Sequence, residues 1–133
     1  MTRPDPEYFI KIRCSAAQIA GYLKRAQHDL EIAKKDAFVE VRFTYAYQAL
    51  VKIGIALLAK EGLRVRAVPG HHAKILGSAG RILKDPDIAV FGNAMRMKRN
   101  EDLYGTGEFV SEKETAEYVD FVRSVLDRAE RRV

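Results

Sequence analysis

The chain of 133 residues has a single cysteine, Cys14. It cannot form an internal disulfide, and without a Cys-x-x-Cys pair it lacks the usual thiolate zinc ligands, so a reducing, cytoplasmic setting is expected. No run of 18 or more apolar residues occurs, and Met1-Thr2-Arg3-Pro4-Asp5-Pro6 has no signal-peptide core, so no membrane association is expected. Period-two alternation with hairpin turns is missing, which predicts no strands. Internal repeats and low-complexity linkers are missing too. At this length the chain reads as one domain able to bury about two-thirds of its unfolded surface.

Several catalytic and metal-binding patterns are also absent. The sequence contains no Glu-x-x-His and no His-Glu-x-x-His, which excludes the common di-metal and zinc helices. Gly77-Ser78-Ala79-Gly80 lacks the Gly-Lys-Ser/Thr ending of a phosphate-cradling loop and lies inside a helical pattern, where small residues permit close packing. Cys14 has no neighbouring activating group that would make it a nucleophile. No cofactor and no metal are expected.

What is present is helical periodicity. Ser15-x-x-Gln18 is a capping box, followed by Ile19, Leu23, Ala26, Leu30 and Ala33 at alternating spacings of four and three. Ser111-x-x-Glu114 opens the last helix, with its stripe at Ala116, Val119, Val122, Leu126 and Ala129. Between them a helix from about Phe38 to Glu61, closed by Gly62, is apolar over more than half its circumference and must be buried on two sides. It is either the central helix or a bundle helix that also forms a dimer interface, and a four- to five-helix count favours the dimer. Pro69-Gly70 precedes a shorter helix ending at Asp85-Pro86, and a fourth resumes through Ile88, Phe91 and Met95. The expected fold is all-α, an antiparallel up-and-down bundle of four to five helices over residues 15–132, with 1–14 as an extended N-terminal segment.

Charge is concentrated in the middle. Residues 60–99 carry nine Lys/Arg against three acids, so this segment outweighs the formal net charge of +5 of the whole chain. Its end, Arg96-Met97-Lys98-Arg99-Asn100-Glu101-Asp102-Leu103-Tyr104-Gly105, sets three cations beside an amide, two carboxylates and a phenol. Such a cluster attracts phosphates electrostatically. His71 and His72 follow Pro69-Gly70 at a helix start, where free N–H groups favour anions. Adjacent helical positions cannot both face the core, so one imidazole should face solvent or a ligand. His28 reads as a surface residue.

The order of these features resembles the HEPN family of small helical, nucleotide-associated domains. The likeness rests on Arg25-Ala26-Gln27-His28-Asp29-Leu30-Glu31-Ile32-Ala33, on Tyr45-Ala46-Tyr47-Gln48-Ala49-Leu50 with Gly62, on Gly70-His71-His72, and on Asp102-Leu103-Tyr104-Gly105 before an acid-rich last helix. It covers roughly residues 15–130, each motif being weak alone. The resemblance implies a homodimer, here through the apolar second helix. It also implies nucleotide or RNA in a cleft, often metal-independent ribonuclease activity in a toxin–antitoxin setting, and a nucleotidyltransferase partner protein. The family's hallmark, an Arg, a polar residue, three to five further residues and a His, matches Arg99 and Asn100, but Tyr104 stands where the histidine is expected at the shortest spacing.

A phenol with a reference pKa about 3.5 units above histidine is disfavoured as a base at pH 7 by about 5 kcal/mol. Three functions therefore stay open. One is binding of nucleotide, RNA or a partner protein through Arg96, Lys98, Arg99, His71 and His72. A second is ribonuclease activity carried by Arg99, Asn100 and Tyr104. A third is a structural bundle with solvated cations.

Overall fold

A computed structural model describes residues 5–104 and 110–133, with side chains in the fourth helix described as far as Arg99. Among the described residues the chain forms five helices: α1 (Ala16–Lys35), α2 (Val39–Lys60), α3 (His71–Leu83), α4 (Asp87–Tyr104) and α5 (Glu112–Arg132). The all-α bundle expected from periodicity is what the chain adopts. No helix among the described residues is long and apolar enough to cross a membrane.

Local chemistry sets the helix ends. The Ser15 hydroxyl accepts from the Gln18 N–H at 3.1 Å while the Gln18 side chain accepts from the Ser15 N–H at 2.8 Å, a reciprocal box that satisfies two orphan donors. Ser111 caps α5 in one direction, accepting from the Glu114 N–H at 3.1 Å. Between α1 and α2, Arg42 Nε donates to the Ala33 carbonyl at 2.8 Å and ties down the last turn of α1.

One expectation fails. Two three-residue strands are present, β1 (Phe9–Lys11) and β2 (Leu63–Val65), paired antiparallel with Ile10 opposite Arg64. Three residues are too few for a readable alternation, and the partners lie in distant parts of the sequence, so no hairpin signal marks them. The pairing fastens the N-terminal segment across the chain that leads from α2 to α3.

α2 is the central helix. It packs on α1, α3, α4, α5 and β2. Phe43, Tyr47, Leu50, Ile53, Leu57 and Leu58 are all essentially inaccessible to solvent, and the buried Ala49, Ala56 and Ala59 carry the covered surface further round the helix. The apolar excess that suggested a dimer interface on α2 is thus covered within one chain and gives no separate reason for a dimer. α3 crosses α2 closely: a Cβ added at Gly54 would lie 2.5 Å from Ile75 Cγ2 and 3.2 Å from the Ile75 carbonyl oxygen. Asp29 of α1, 5% exposed at its side chain, is held by Lys52 of α2 at 2.6 Å.

The large exposed apolar side chains lie mainly on α4 instead. Ile88 and Met95 face the core, whereas Val90 and Met97 are 65% and 56% exposed. Phe91, expected in the apolar stripe, sits at the seam with α5 and stacks on Phe121 at 4.6 Å.

Removing part of a side chain from the centre of α2 leaves a cavity. Leu50→Ala is expected to cost about 2–5 kcal/mol in urea denaturation, whereas Phe38→Ala, at an exposed helix start, should stay within about 0.5 kcal/mol.

Candidate functional site

The turn before α3 positions the two histidines. The His71 N–H donates to the Val68 carbonyl at 3.0 Å, closing a four-residue turn with Pro69 and Gly70 at its centre. Gly70 has φ +84° and ψ 5°, the conformation that the third position of a type II turn requires and that a Cβ disfavours. α3 begins at once, so His71 and His72 occupy its first turn.

Both imidazoles are half-buried, and each has a partner, so the expected division into a core-facing and an outward histidine does not hold. His71 Nδ1 lies 3.0 Å from the Val68 carbonyl oxygen. A carbonyl only accepts, so Nδ1 carries the proton, and whenever the ring is neutral its lone pair is on Nε2. His72 Nδ1 lies 2.8 Å from the Tyr47 hydroxyl. The two rings meet edge to face with centroids 4.3 Å apart.

α4 brings its cations to the same place. Arg96 and Arg99, three residues apart, share one helix face. The Arg99 guanidinium carbon sits 5.5 Å from the centre of the Tyr47 ring, within cation–π range. Burial raises the pKa of Tyr47, partly offset by Arg99 and Arg96, so it stays a neutral phenol. Burial lowers the pKa of His72, and the charges of His71, Arg99 and Arg96 add to the effect. No carboxylate among the described residues contributes to either shift. One turn earlier on this face, Asn93 Oδ1 is buried without a hydrogen-bond partner among the described residues, as is Arg96 Nε.

The structure therefore brings together four of the predicted residues, His71, His72, Arg96 and Arg99. It directs Lys98 elsewhere: its ammonium pairs with Glu114 of α5 at 3.3 Å. Asn100 and Tyr104 belong to the last turns of α4, and their side chains lie outside the described residues. Tyr47 and Asn93 were missed. In the sequence Tyr47 stands out only within the family-like stretch Tyr45–Leu50, yet a fully buried phenol needs a hydrogen-bond partner, and that is the available signal. His28 is exposed, as expected.

Beside the histidines is a cleft of about 240 Å³ between β2, α2 and the start of α3. Its wall is mostly apolar, with Tyr22, Val51, Ile55, Val65 and Ile75 among its residues, and Arg64, His71 and His72 supply its polar side. Wider grooves of about 400 Å³ along α1 and α5 are lined by exposed side chains of both charge signs together with buried Ile19, Leu23, Leu30 and Leu126, and among the described residues they hold no comparable cluster. Among the described residues no group of three or more His, Cys, Asp or Glu is arranged to hold a metal ion. No protein-family model, curated protein or solved structure matches this chain.

Chemically, the site offers two fixed cations, a phenol and two imidazoles. A His72 pKa below the usual value means that the unfolded chain binds the proton more tightly. Its contribution to stability is thus complete above about pH 6.5 and is lost as pH falls through the folded-state pKa. Thermal unfolding from pH 7.5 to 5 should show a smaller acid-side loss in His72→Gln than in wild type; equal losses would contradict this assignment.

Proposed function

We propose that this protein binds a phosphate-bearing ligand, nucleotide or RNA, where the start of α3 meets the cationic stretch of α4. The convergence of Arg96 and Arg99 on the hydrogen-bonded Tyr47–His72 pair carries the reading. Both cations act on that pair with no opposing carboxylate among the described residues, a setting that favours an incoming anion. The buried Arg96 Nε and Asn93 Oδ1, without partners among the described residues, supply a further donor and an acceptor on the same helix. The HEPN resemblance points in the same direction, since its shared motifs include Tyr47, His71 and His72.

A second reading is metal-independent RNA cleavage, and the position of the histidines favours it over chemistry at Tyr104. In this step an imidazole nitrogen takes the proton of a 2′-hydroxyl and the oxygen bonds to phosphorus. The bond to the 5′-oxygen breaks, and that oxygen takes a proton from water. The products are a 2′,3′-cyclic phosphate and a 5′-hydroxyl end. Arg96 and Arg99 would stabilise the developing charge on phosphorus.

One RNA experiment separates the two. A single-stranded oligoribonucleotide should bind in a salt-dependent way. Arg96→Ala/Arg99→Ala should weaken binding at least about tenfold and flatten the salt slope by about two, one for each cation removed, whereas Lys98→Ala changes little. No binding at low salt defeats the proposal. Incubation of the same RNA in EDTA tests cleavage: 2′,3′-cyclic ends that disappear in His71→Ala or His72→Ala support it, and intact RNA removes the second reading.

We also assign self-association to the outer face of α4 rather than to α2. Sedimentation velocity at micromolar concentration should show a dimer for wild type and a monomer for Val90→Glu/Met97→Glu. A monomeric wild type rejects the assignment.

A further inference from the structure

The cleft between β2, α2 and the start of α3 is a place where apolar side chains of the bundle stay uncovered. Tyr22, Ile55, Leu63 and Val65 pack against the core yet are only half-buried, and all four line the cleft. Apolar surface gathered in one concavity favours an apolar ligand over water. The polar side chains of the wall are nearly all of one kind. Apart from the Tyr22 phenol they are Arg64, His71 and His72, and no carboxylate among the described residues lines the cleft. Arg64 makes no ion pair among the described residues. Both histidines use Nδ1 for their hydrogen bonds within the protein, and neither Nε2 is engaged among the described residues. Where the Tyr47 phenol donates, neutral His72 carries its proton on Nε2 and donates from there.

Size limits the ligand. An apolar cavity of about 150 Å³ holds benzene, so a cleft of about 240 Å³ takes a body of about six carbons with one small polar group. One fixed cation suits a monoanion, and the planar fork of arginine matches a carboxylate. We infer that the cleft binds a small monocarboxylate, its apolar body against Tyr22, Val51, Ile55 and Ile75 and its carboxylate at Arg64 and His72. The inference goes beyond the phosphate-site reading and does not depend on it, because Arg96 and Arg99 are not among the residues that line the cleft. The two sites are adjacent all the same: His72 lines the cleft and hydrogen-bonds the phenol that Arg99 covers.

Calorimetric titration of the full chain with butanoate, hexanoate, octanoate and dodecanoate tests it. Each methylene buried in the cleft should tighten binding about fourfold, and the gain should stop near octanoate, where the cleft is full. One molecule should bind per chain, and 1-octanol, which has the body without the charge, should bind at least about tenfold more weakly than octanoate. Arg64→Gln, at an exposed position, should remove most of that difference and leave 1-octanol unchanged. Ile55→Phe, which fills the cleft from α2, should weaken octanoate and 1-octanol alike. The wild-type series and Arg64→Gln stand whether or not that variant folds. Equal affinity for octanoate and 1-octanol overturns recognition of the carboxylate. Affinity that keeps rising to dodecanoate, or several molecules per chain, marks uptake by exposed apolar surface such as that of α4 and overturns the cleft assignment. Absence of octanoate binding overturns the inference as a whole and leaves the phosphate site untouched.

Discussion

Covering α2 over more than half its circumference is the constraint that positions everything else in this protein. A helix with Phe43, Leu50, Ile53, Leu57 and Leu58 inaccessible to solvent cannot be satisfied by one neighbour. α1 and α5 take part of its surface, and α3 and α4 take the rest. Each large aliphatic or aromatic side chain placed there contributes about 1.5–3 kcal/mol relative to exposure, so the arrangement of the four surrounding helices is strongly determined. Close approach reinforces it where Gly54 lets the backbone of α3 pass beside α2.

The polar cluster follows from that packing. Tyr47 is buried with the core residues of α2, and its hydroxyl must find a partner because an unpaired buried hydroxyl costs about 1–3 kcal/mol. The first turn of α3 supplies one in His72, which the Pro69-Gly70 turn places there. α4 then adds Arg99 over the same phenol. A hydrogen bond needed for the core is thereby also the floor of a cationic site. The same burial keeps the phenol neutral and disfavours the imidazolium of His72, and an arriving anion would change the second of these.

The site differs in kind from the contiguous segment that the sequence suggests. A motif read along the chain makes Arg99, Asn100 and Tyr104 a unit and makes the phenol at 104 a missing base. In three dimensions Arg99 lies against Tyr47 and acts on His72, the partner of that phenol, and these two come from two other helices. Lys98, adjacent in sequence, belongs to a surface ion pair with α5. On a helix, successive residues point about 100° apart, so a run of cations does not form one patch. Arg96 and Arg99 stay together because they are three residues apart.

The sequence by itself determined the helices, their capping at Ser15 and Ser111, the over-apolar character of α2 and the concentration of positive charge before Arg99. These are local or periodic properties, written in residues that are close along the chain. It did not determine that α2 is central rather than an interface, because burial by a neighbouring helix and burial by a second copy leave the same pattern. The short β1–β2 pairing escaped for a related reason: three residues carry no period. Only the tertiary structure decided that Tyr47, His71, His72, Arg96 and Arg99 share one place. Their meeting depends on how α3 and α4 pack around α2, and distances across a core are set by side-chain volumes and close approaches rather than by spacing along the chain.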